Sequence, residues 1–203
     1  MKKCASDLRL IIGFFIAHLL LFLTFEDKSV FWYIFSASML FLISYSILNE
    51  EMDDQAPVSN YLFYGIISGL LLYTVFWVGN SMINFFDLPF SKQVSRLYNR
   101  YAPTELWHYI VLLFILIPGE EIFWRGFIQK RILKYTNIWI SIFVSALLYA
   151  SVQIYAGHSI LILAAFVGGL FWGALYTWKR SIPLIIVSHL TFDLMIFIFL
   201  PLY

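Results

Sequence analysis

The chain has 203 residues, of which 62% are hydrophobic and only 12% charged. A soluble domain carries about 25% charged and about 45–50% apolar residues, so a water-soluble globule is excluded and the sequence reads as an integral membrane protein. The net charge of +1, with no basic tract, argues against a nucleic-acid partner. The single cysteine, Cys4, excludes an internal disulfide framework and a cysteine-based metal cage, and fits a near-terminal bystander better than a lipid acceptor.

A transmembrane helix needs roughly 20 apolar residues, and hydropathy divides the chain accordingly. The first span is expected over 8–25; charged residues follow it rather than a small-residue cleavage site, so it reads as retained. The second covers 30–48, after Glu26, Asp27 and Lys28. An acidic loop with Glu50, Glu51, Asp53 and Asp54 leads to a third span over 61–86. In the polar segment 87–104, Lys92, Arg96 and Arg100 recur every four residues, which places them on one face of a helix that lies on the membrane surface or simply connects two spans. A fourth span begins near Glu105 and meets Pro118-Gly119, where a kink or a break into two segments is expected. The remaining spans are placed at 137–156, 159–178 and 182–203. The predicted fold is all-α: a polytopic membrane bundle of about seven (six to eight) transmembrane helices, forming a single transmembrane domain over 1–203 with a membrane-embedded polar site.

Counting Lys and Arg in alternate loops gives eight on the side of the N-terminus and four on the other, with Arg125 inside a span. The excess predicts a cytoplasmic N-terminus, although the acidic loop then lies on that side without a basic residue of its own. The aromatic content (21 Phe, 13 Tyr and 7 Trp) fits lipid-facing and interfacial positions. Gly168, Gly169 and Gly173 fit close helix approach rather than a gate.

Ionisable groups inside spans cost about 2.5–3.5 kcal/mol each at mid-membrane on insertion scales and mark function by default. Glu121 and Arg125, at i and i+4, can pair on one helix face. Glu120 lies about 100° around the helix from Glu121. It reads equally well as a base that takes a proton from water or as a water-facing residue at a helix start. His189 and Asp193 form a second i, i+4 pair, which can fix a tautomer or share a water or a metal. His18 has no polar partner at helical spacing and reads as structural or interfacial. His108 fits an interfacial belt, and His158, after Gly157, is open to either role. These groups can assemble a hydrolytic centre or line an ion path, and spacing does not separate the two.

Glu120-Glu121-Ile122-Phe123-Trp124-Arg125 resembles the EExxxR motif of the CPBP family, the type II CAAX prenyl endopeptidase and bacteriocin-processing (Abi) proteins. His189-Leu190-Thr191-Phe192-Asp193 resembles that family's HxxxN/D motif. The resemblance covers about 105–200. It implies an intramembrane endopeptidase in which Glu120 activates water, Glu121 and Arg125 support it, and His189 and Asp193 orient water or stabilise the tetrahedral intermediate. The family's FxxxH motif corresponds to Tyr149 through Gln153, with Tyr149 for Phe and Gln153 for His. An amide can donate to an oxyanion but is neither a general base nor a good metal ligand, so no cofactor is assigned and zinc is weakened though not removed. Three readings stay open: a glutamate-type hydrolase with Gln153 as donor, a site completed by His158, or an inactive member that binds a partner as an immunity protein does. A proton-coupled transporter is disfavoured by the lack of an internal repeat. The expected partners are the lipid bilayer and a peptide or protein substrate in or near it: a prenylated tail, a leader or a sorting segment. The expected location is a prokaryotic cell membrane.

Overall fold

The computed structural model describes residues 6–202; Lys2, Lys3 and Cys4 lie outside them. Seven helices are long and apolar enough to cross a membrane. They are α1 (Leu8–Glu26), α2 (Lys28–Asn49), α3 (Val58–Phe85), α5 (Leu106–Leu133), α6 (Ile138–Ala156), α7 (Ser159–Lys179) and α8 (Ile182–Phe199). A short α4 (Ser91–Tyr101) lies between α3 and α5. The architecture is a polytopic all-helical membrane bundle, and the described residues contain no strand beyond one isolated bridge, Asp54 to Ser181.

Polar side chains start several of these helices by accepting the backbone amides that a first turn leaves unpaired. Asp7 accepts from Leu10 N, Asn137 from Ile140 N and Ser181 from Leu184 N. His108 is buried as part of a cap at the start of α5: its Nδ1 accepts from the amides of Thr104 and Glu105, and its ring stacks on Trp32 at 4.5 Å.

Small residues set the closest helix contacts. Gly65 and Gly69 stand one turn apart on α3 where it packs along α8, and a Cβ on Gly69 would come within 2.5 Å of the Ser188 carbonyl oxygen. This small-xxx-small spacing lets two backbones touch in the absence of a hydrophobic driving force. Gly169 does the same between α7 and α6, where its Cβ would meet Ala146 at 3.0 Å. Gly168 instead leaves room for the ring of Trp172. The outer faces carry exposed Phe15, Phe63, Trp139 and Trp178, as a lipid-facing surface requires.

At one end of the bundle the acidic loop and Asp7 find their cations at the end of α5 and in the α7–α8 turn. Arg131 binds Asp7 through two nitrogens at 2.9 Å each and reaches Glu50 at 3.0 Å. Lys134 pairs with Glu50, while Lys130 and Arg180 both pair with Asp53. The loop backbone is fastened to the α7–α8 turn, Gln55 N donating to Arg180 O and Ile182 N to Asp53 O. Burial pushes the Asp7 carboxyl up, but the Leu10 amide and Arg131 outweigh it and the net shift is down. Asp53 is likewise lowered, because Lys130, Tyr176 and Arg180 outweigh its burial. At the opposite end, α4 turns Lys92, Arg96 and Arg100 outward and lays Val94, Leu97, Tyr98 and Tyr101 over the bundle.

Candidate active site

α5 is one continuous helical run rather than two segments, but its pitch changes twice. Pro118 has no N–H to give, and in a regular helix its ring would press on the carbonyl four residues back. Just before it, over Leu112–Leu116, the helix widens to π geometry, and Ile117 N bonds Leu112 O five residues away. A second π stretch, Ile122–Gln129, ends with Lys130 N reaching Arg125 O. Between them one α turn carries Glu120 and Glu121. Such π turns concentrate at functional sites.

Glu121 is fully buried and its Oε1 accepts twice, from Arg125 Nη1 at 3.1 Å and from His189 Nδ1 at 2.6 Å. The pairing expected within α5 is therefore present, and it reaches α8 as well. Because a carboxylate only accepts, His189 presents its Nδ1 proton to Glu121 and directs Nε2 the other way. There Nε2 faces Glu120 Oε2 at 3.9 Å and Asp193 Oδ1 at 3.7 Å. These gaps are too long for direct hydrogen bonds and suit one bridging water. Trp172 stacks on the imidazole with centroids 3.8 Å apart, and its Nε1 donates to Ser188, which also accepts from Ser68. The ring is thus fixed from three helices. Trp172, grouped by composition with the lipid-facing aromatics, belongs to the site.

Tyr149 on α6 donates to Glu120 Oε2 at 2.9 Å. Gln153, one turn further, is buried at 6% exposure, and no described residue engages its side chain in a hydrogen bond. It sits in a 3₁₀ turn, Val152–Ala156, that ends α6. His18 holds this turn across 133 residues of sequence, its ring nitrogens bonding Ser151 and Tyr155 on either side of Gln153. Helical spacing on α1 alone gave no sign of these partners. His158 lies beyond Gly157, whose φ of +73° turns the chain away, and it lines no part of the site. Burial and the nearby Arg100 and Arg96 lower the pKa of its imidazole.

Glu120, Tyr149, Gln153, His189 and Asp193 form the polar floor of a cavity of about 460 Å³. Its walls are apolar, including Phe31, Phe76 and Phe192, and α4 contributes Leu97 and Tyr101 at its mouth. Every lining segment comes from the α4 end of the bundle, so the cavity opens away from the charged loops. Among the described residues no three His, Cys, Asp or Glu side chains form a group that could hold a metal ion. Glu121 engages His189 Nδ1 and leaves Nε2 free, and Gln153 supplies an amide, a poor metal ligand, where an imidazole would serve.

Residues 102–195 match the family model for Rce1-like type II CAAX prenyl endopeptidases. That segment belongs to the Rce1-like family. The match holds every residue of the polar floor and nearly coincides with the 105–200 read from the motifs. No curated protein and no solved structure matches the chain. The matched segment thus resembles CAAX-type intramembrane proteases, and it lies in a chain with seven helices apolar enough to cross a membrane.

Proposed function

We propose that the chain hydrolyses peptide bonds with a water activated by Glu120. The observation that carries this reading is the gap beside His189 Nε2, bounded by Glu120 at 3.9 Å and Asp193 at 3.7 Å on the cavity floor. A water held there gives one proton to Glu120 and directs the other at Nε2, which accepts because Nδ1 is engaged by Glu121. The water oxygen adds to the scissile carbonyl carbon, and the Gln153 amide donates to the oxyanion as its charge develops. Glu120 then passes its proton to the leaving nitrogen, the C–N bond breaks, and the carboxyl and amine products separate. Asp193 bounds the third side of the water site, and Glu121 with Arg125 holds the imidazole.

The apolar walls favour a substrate with an apolar or lipidated segment beside the scissile bond. The Lys and Arg excess on the charged end supports a cytoplasmic N-terminus, which turns the cavity mouth to the extracytoplasmic side. That orientation favours leader or sorting segments of exported proteins over cytoplasmic prenylated tails. The test compares protein termini in cells expressing the wild type or Glu120→Gln at matched levels. Termini lost only in the variant are expected; identical sets from folded, abundant protein refute the reading. Gln153, in place of the resembled histidine, favours one alternative, an inactive member that uses the cavity to bind a partner, and identical termini would be its expected outcome.

A further inference from the structure

Two departures from the resembled FxxxH pattern, Tyr149 and Gln153, fall one turn apart on α6 and both line the cavity. The ring of Tyr149 is immobilised independently of its hydroxyl. It lies against Trp124 with centroids 5.3 Å apart, and the Arg125 guanidinium sits 4.9 Å from its centre. Arg125 is also 5.4 Å from the Trp172 ring, and Trp172 in turn stacks on His189. A phenylalanine would fill the same place and keep these contacts. The hydroxyl is thus an addition to a ring already held, and it is aimed at one atom, Glu120 Oε2.

A free carboxylate presents two equivalent oxygens and can turn either towards water. Oε2 is the oxygen facing His189 Nε2, and the Tyr149 hydroxyl occupies one of its lone pairs. Building on the protease reading above, we propose that Tyr149 is a positioning residue: its hydroxyl holds Glu120 with Oε2 turned to His189 Nε2, and the remaining lone pair of that oxygen takes the proton from water. The phenolic proton stays on Tyr149 throughout; the only proton moved is the one that Glu120 Oε2 takes from water and returns to the leaving nitrogen. Where the resembled pattern has an aromatic ring followed by an imidazole, this chain divides the work between a phenol that orients the base and an amide that meets the oxyanion.

The test is Tyr149→Phe, which removes one oxygen and keeps the ring. The kinetic probe is a synthetic quenched peptide spanning a bond whose terminus is lost in Glu120→Gln cells. Loss of a hydrogen bond to a charged group predicts a fall in kcat of about 10- to 100-fold with KM within about twofold and an unchanged melting temperature. An unchanged kcat, or a loss confined to KM, overturns the proposal. A second arm needs no substrate. The infrared band of the Glu120 carboxyl, isolated by subtracting the matching Glu120→Gln spectrum, is expected to be displaced in Tyr149→Phe. An unmoved band overturns the proposal even where no substrate is found. A displaced band with no processing by the wild type leaves the bond to Glu120 standing and sinks the protease reading instead.

Discussion

Replacing Glu121 by glutamine removes one charge and changes almost nothing in shape. At the 3.1 Å separation of Arg125 Nη1 from Glu121 Oε1, and an effective dielectric of about 20, the charge attraction is about 5 kcal/mol. Both side chains are buried, so the guanidinium left behind has no water to turn to. Breaking a buried pair from one side typically costs about 3–5 kcal/mol. The amide introduced by Glu121→Gln would still offer an oxygen to His189 Nδ1, which confines the loss to the ion pair. Arg125→Met is expected to cost a similar amount by stranding the carboxylate. The double variant Glu121→Gln/Arg125→Met strands neither charge and should recover at least about 2 kcal/mol relative to the sum of the singles. Unfolding in mixed micelles, followed by tryptophan fluorescence across a denaturing-detergent titration, reads all three. Strictly additive singles, or a Glu121→Gln variant as stable as the wild type, would refute the claim that this buried ion pair stabilises α5.

Two further outcomes are expected. Asp7 and Asp53 both have carboxyls lowered in the folded protein, so the stability they add is present above the ordinary aspartate value and is lost as pH falls through the folded one. Proteolysis of the 49–57 loop should therefore be constant from neutral pH down to about 5 and rise below about 4, the unperturbed value being about 3.9; Arg131→Met should move the rise to higher pH, and an unaltered profile would count against the pairing. In a Cys4→Ser background, an impermeant maleimide added to intact cells should label Ser95→Cys on α4 and reach Glu51→Cys only after permeabilisation. The reverse pattern would place the cavity mouth in the cytoplasm.

Hydropathy located all seven spans, because a bilayer imposes a long apolar run that any reading of the chain reveals. The polar set was legible for the same reason turned around: Glu120, Glu121, Arg125, His189 and Asp193 stand out where charge is costly. Pairings between helices left no such trace. His18 meets Ser151 and Tyr155 across more than 130 residues, and the acidic loop is neutralised by Lys130, Arg131, Lys134 and Arg180 from the end of α5 and the α7–α8 turn. No period in the sequence encodes such contacts. The Gly65–Gly69 spacing was visible and would have suggested the close contact of α3, though not its partner. Trp172 was hidden by its company, since one tryptophan among many aromatics carries no mark of which faces lipid and which covers a histidine.

The two π stretches of α5 set its own backbone preference against the assembly of the site. An added residue advances everything after it by about 100° around the axis. Deleting one residue from Leu112–Leu116 would give α5 a more regular hydrogen-bond ladder, swing Glu120 off the cavity floor and carry Glu121 away from His189. The shorter chain would still be apolar enough to insert. The quantity at risk is phase: α5 delivers its carboxylates only while it stays one residue out of step with an ordinary helix.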